Sequence, residues 1–236
     1  MNTVTQIMTE LEKKGDPRRV KVYQPHGAPT DIFGVSIADL KVIAKKIKGQ
    51  QALALSLYAT NNADAMYLAG LVADGGQMTK NELDTWAKNA TWQMVSEYTV
   101  PGVAAESKHA RELAKKWMKS KREAVASSGW NTYAGIVTVT PDEQLDLQEI
   151  EALLNQVERT IDSAPNRVRY TMNSFVIAVG AYVKPLSNAA KATAKRIGKV
   201  TVDMHGTSCK VPLATEYIAK IEKAGRVGKK RKSIKC

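Results

Sequence analysis

Cysteine is scarce in this chain. Only Cys209 and Cys236 occur in 236 residues, too few for a disulfide framework, so a reducing compartment is expected. An apolar leader is missing too: MNTVTQIMTELEKKG mixes Glu and Lys into its first turns and lacks the apolar block of a secretory signal. The longest charge-free apolar stretch worth testing, Tyr170 to Val183, has 14 residues, short of the roughly 20 that cross a bilayer. A soluble, cytoplasmic protein without membrane association is expected. The three histidines, His26, His109 and His205, are scattered and form no Ser/His/Asp or Cys/His relay. Asp203, His205 and Cys209 are metal-capable but lack a fourth partner, so no metal is expected. Gly75-Gly76 opens no strand-to-helix phosphate loop, and GRVGKK lacks the Ser or Thr that follows a nucleotide-binding lysine. No nucleotide cofactor, and no cofactor of another kind, is expected.

Acids are absent from one place in particular. The net charge is +12, and seven positive residues (Lys223, Arg226, Lys229, Lys230, Arg231, Lys232, Lys235) fall between Lys223 and Cys236 with no Asp or Glu among them. Five net charges are left for the rest, so the body is only mildly basic. Such a run serves either as a solvated face or as a phosphate contact, because cations that replace counterions on a polyanion gain affinity from the ions released. Residues 225–236 are expected to form a flexible basic tail on a helical domain spanning residues 1–224.

Apolar residues recur at three and four positions along most of the chain, the period of helices rather than strands. Ser36 ahead of IADLKVIAKKIKG, Thr79 with Glu82, and Asp146 with Glu149 read as amino-terminal caps. The one alternating stretch is KVTVDMHGTSCKV, where Val200, Val202 and Met204 precede His205-Gly206, and a small hairpin is expected there. The fold class is therefore all-α. Paired helices suggest an α-solenoid with a concave surface; without a strict sequence period, a compact bundle is the alternative.

The segment ATWQMVSEYT sets an indole, an amide, a hydroxyl and a carboxylate within about one and a half turns. On an α-helix Trp92, Val95, Ser96 and Thr99 share a face, which is either the wall of a site or a core stripe with Gln93 and Glu97 in solvent. NATWQMVSEYT, SGWNTYAGIV, PNRVRYTMNSFVIAVGAYV and the stretch from Val202 to the end resemble the DNA alkylation-repair family of the AlkD type, built from HEAT-like helical repeats. The likeness runs from about Gly34 onward. It implies a monomeric HEAT-like α-solenoid that holds duplex DNA in a concave basic cleft and excises positively charged N3- or N7-alkylated purines.

The family motif reads Trp-Asp-x-Val-Asp, with the last Asp stabilising a cationic sugar. The matching residues here are Trp92-Gln93-Met94-Val95-Ser96. Serine supplies no charge for that task, and the neighbouring Glu97 lies about 100° around an ideal helix. Ser96 and Glu97 are the catalytic candidates, with Asp84 and Glu106 as acids that folding could bring near. Where relatives carry an Arg pair, this chain has Asn131-Thr132 beside Trp130; where they carry a second cleft Trp, it has Asn173 or Ser174. The expected DNA contacts are Trp92, Trp130, Arg167, Arg169, Asn173, Lys229, Lys230, Arg231 and Lys232. Arg167 and Arg169 stand near a helix start, where the macrodipole does not help cations and an anion is invited. A noncatalytic module that binds DNA, structured RNA or a protein is the competing reading.

Overall fold

A computed structural model describes residues 3–235. Its α-helices are α1 (Val4–Lys13), α2 (Pro17–Tyr23), α3 (Ile37–Lys46), α4 (Gln51–Tyr58), α5 (Ala63–Val72), α6 (Lys80–Asn89), α7 (Val100–Ala104), α8 (Ala110–Met118), α9 (Glu123–Val139), α10 (Leu147–Thr160), α11 (Asn166–Tyr182), α12 (Ser187–Ile197) and α13 (Ala214–Lys223). The caps form at the expected places. Ser36 accepts from the Asp39 amide, and Thr79 and Glu82 complete a reciprocal capping box. Asp146 caps α10 alone, because the Glu149 carboxylate is drawn to Arg111, Lys115 and the Tyr133 hydroxyl instead.

Two layers follow from which helices are apolar on one side and which on several. Helix α8 buries Ala110, Leu113, Ala114 and Trp117, and α10 buries Ile150, Leu153, Leu154 and Val157, each a single stripe at helical spacing. These are outer helices. In contrast α5, α9 and α11 are covered on several sides, and contacts run in chain order from α5 through residues 95–104 to α9, α11 and α13. They make the inner layer. Helices α8 and α9 approach closely at Gly129, where a Cβ would lie 2.5 Å from the Met118 amide nitrogen. One hydrophobic cluster fills the amino-terminal half as far as Trp117 and Val125, and a second continues from Ala114 to Ile218.

The expected hairpin does not form: no strand occurs among the described residues. Its turn is present, since His205 and Gly206 both have positive φ (53° and 71°) and the Thr207 amide donates to Met204 O. The flanking backbone, however, bonds to α11. Asn166 exchanges two hydrogen bonds with the Asp203 backbone, and Asn173 donates to Pro212 O. A ladder partner is replaced by side-chain amides.

In place of a projecting tail, residues 226–235 run back across the inner layer. The Gly228 amide donates to Ala181 O at the end of α11, and the Arg231 amide to Thr138 O in the last turn of α9. Lys230 Nζ donates to Val137 O and pairs with Asp142 at 2.8 Å. Lys235 reaches Ala73 O beyond α5 and Glu106. The bonds to Ala181, Thr138, Val137 and Ala73 satisfy carbonyls that helix ends leave without a partner, and the Lys230 and Lys235 cations there complement the dipole. Lys230 and Lys235 are thereby structural, and the inner layer is not an open trough. Cys236 lies outside the described residues.

Candidate nucleic-acid interface

The stretch after Trp92 is not an ideal α-helix. Val95–Thr99 form a π turn, closed by the Val100 amide donating to Val95 O. Such turns are rare and widen the helix locally. Val95, Ser96, Glu97 and Thr99 are consequently all buried, and Tyr98 is left at the surface. Trp92, Val95 and Thr99 pack inward as the core reading has it, but Glu97 does not meet solvent.

Glu97 meets Arg167 from the first turn of α11. Arg167 Nε donates to Oε1 at 2.7 Å and Nη2 to Oε2 at 2.6 Å, a bidentate pair whose side chains are 0% and 13% exposed for Glu97 and Arg167. Burial raises the Glu97 carboxyl above the usual carboxylate range, opposed by Arg167. The guanidinium also lies 4.4 Å from the Tyr170 ring centroid, and Arg167 Nη1 contacts Met204 Sδ. Glu123 accepts from the Arg167 amide at 2.6 Å. The anion invited by this helix start is therefore internal.

Several expected contacts fall elsewhere. Trp130 is 0% exposed and packs edge-on against Phe175, so it is core. Asn173 is fully buried and spends its amide on Pro212 O. Ser96 is buried, with its carbonyl accepting from Ser128. Asn131, in the position of the first family Arg, donates to Glu97 O. Asp84 is tied to Lys88, Lys116 and Trp117, and Glu106 to Lys235; neither faces Trp92. Arg169 is half-buried with no acceptor for its Nε among the described residues. Lys229, Arg231 and Lys232 are exposed, while Lys230 is partly covered.

Around Trp92 the chain leaves a recess of about 360 Å³. Tyr23 and His26 come from α2 and the turn after it, Trp92, Met94 and Tyr98 from the π-turn region, Arg167 and Tyr170 from α11, and Met204, Cys209 and Lys210 from the loop before α13. No carboxylate lines it. A smaller recess of about 200 Å³ lies between the tail and α9, and Tyr98 borders both. Sequence reasoning passed over Tyr23, Tyr98 and Tyr170. The signal for Tyr170 was its place three residues after Arg167, a spacing that stacks the two on one helix face.

Residues 7–208 match the sequence profile of the family described as DNA alkylation repair enzyme. The chain belongs to the DNA alkylation repair family. Two relatives in this size range are uncharacterized protein Lin0241 of Listeria innocua, 35% identical, and uncharacterized protein Lmo0209 of Listeria monocytogenes, 33% identical; each alignment covers 93% of this chain and 97% of the relative. A solved structure described as "a new family of proteins related to the HEAT-like repeat DNA glycosylases with affinity for branched DNA structures" matches with a TM-score of 0.90, 37% identity and 100% coverage of both chains. The fold of this DNA alkylation repair protein is thus the HEAT-like helical repeat, without the hairpin.

Proposed function

We propose that this protein binds DNA through the recess edge of its inner layer, prefers branched DNA to linear duplex, and does not excise alkylated bases. One observation carries the reading: the carboxylate nearest the family's catalytic position, Glu97, is buried and committed to Arg167. An acid held in this way cannot approach a sugar on the surface, and Ser96 carries no charge to replace it. The tail, laid across the inner layer, favours the same reading, since a straight duplex seated along that layer would meet Arg231 and Ile234. The affinity for branched DNA described for the 37% identical solved protein supports the choice of ligand. Exposed Lys210, Lys229, Arg231 and Lys232 supply phosphate contacts.

The test pairs two assays on the full-length chain. Duplex DNA containing N7-methylguanine, incubated with the protein and then treated to cleave abasic sites, is expected to show no cleavage above buffer. The same preparation is expected to retard a four-way junction. Base release above background would restore the excising reading, and a junction that is never retarded would remove the DNA-binding one.

A further inference from the structure

The recess beside Trp92 has a narrow chemistry. Four aromatic rings, Tyr23, Trp92, Tyr98 and Tyr170, stand around one volume. Tyr23 and Trp92 touch, with centroids 5.4 Å apart and planes tilted by 48°. Tyr170 is held in place from one side by Arg167, itself fixed by Glu97. Trp92 is 5% exposed, so it presents little more than a ring edge to the recess. Lys210, at the rim, is exposed.

A ligand that suits this set is flat and aromatic, brings no positive charge toward Arg167, and trails an anion to Lys210. An unpaired nucleobase with its phosphate has all three properties. Stacking on such side chains is tolerant of base identity and is worth about 1–3 kcal/mol per base. A volume of about 360 Å³ is at the lower end of ligand pockets, suited to one nucleotide rather than a duplex end. We propose that the recess captures one unpaired nucleobase at a DNA branch point, with the base against the rings of Tyr23, Tyr98 and Tyr170 and Lys210 meeting its phosphate. The inference rests on the DNA-binding reading above and deepens it.

The experiment uses the full-length protein and three-way junctions with one unpaired thymine at the branch, compared with the same junction carrying a tetrahydrofuran abasic residue there. The thymine junction is expected to bind at least about fivefold tighter. Tyr98→Ala, at a position 37% exposed, is expected to erase that ratio while the abasic junction binds as before. Equal affinity of the wild-type protein for both junctions overturns base capture and leaves DNA binding standing. Failure to bind either junction overturns both.

Discussion

Arg167 and Glu97, 70 positions apart in sequence, close a two-pronged ion pair at 2.6 and 2.7 Å between the π turn and α11. The pair puts a carboxylate beside the family's catalytic position and binds both of its oxygens to one guanidinium. Removing one partner of such a buried pair leaves the other charge unmatched, at a cost of about 3–5 kcal/mol, whereas replacing both by apolar groups is far milder. Glu97→Ala is therefore expected to lower the urea midpoint strongly, and Glu97→Leu combined with Arg167→Met to recover most of the loss. A double variant destabilised by the sum of the two single losses would show that the pair contributes no coupling.

Restoring the family acid by Ser96→Asp is expected to fail as a gain of function. Ser96 is 2% exposed, and an unpaired carboxylate there would be protonated or would disrupt the packing at several kcal/mol. Thermal denaturation and the N7-methylguanine assay read the two halves of this expectation. A stable variant with base release would contradict it.

The tail is expected to matter for stability more than its charge suggests. Ile234 packs over Gly135, where a Cβ would approach its Cδ1 to 2.4 Å, and Lys230 and Lys235 satisfy helix-end carbonyls. Truncation after Gly228 should cost on the order of 2–4 kcal/mol by denaturant unfolding, from lost apolar burial and unmet carbonyls. An unchanged midpoint would show that the tail is merely laid on the surface. Lys229→Gln with Lys232→Gln, both exposed, should leave stability alone and reduce the log-log salt slope of DNA binding by roughly 2.

The acid limb of stability is expected to track Glu149. Hydrogen bonds from Arg111, with Lys115 and Tyr133 adding to them against burial, hold its carboxyl down at about 2, below its ordinary 4.5. A depressed folded value means that the unfolded chain takes up the proton first. This stabilisation is full above about pH 4.5 and is lost as pH falls toward 2. Glu149→Gln should lower stability at pH 7 by on the order of 2 kcal/mol and flatten the dependence between those limits. A variant with the parent's slope would contradict this.

How much of this was legible in the sequence differs by level. Caps and outer helices follow from local rules: Ser36, Thr79 and Asp146 act within three residues of themselves, and the stripe of α10 is visible as Ile150, Leu153, Leu154 and Val157. The family resemblance, carried by ordered motifs, was readable as well. The site was not, because its decisive contacts are distant. Nothing near Glu97 announces Arg167, and the π turn that buries Glu97 has no simple residue code. Trp130 and Asn173 were placed in the cleft by their alignment position, but packing against Phe175 and the backbone at Pro212 claimed them. The alternation in Val200–Met204 is real, yet α11 competes for the same backbone groups through Asn166 and Asn173.

A protein that grips DNA at a branch, as proposed here, must distinguish a junction from a straight duplex. In anisotropy titrations of the full-length chain against a labelled four-way junction and a linear duplex of matched length and sequence, at one stated salt concentration, the junction is expected to bind at least about tenfold tighter, a gap of about 1.4 kcal/mol. Equal affinity for the two, or a preference for the linear duplex, would rule out the branch-specific grip.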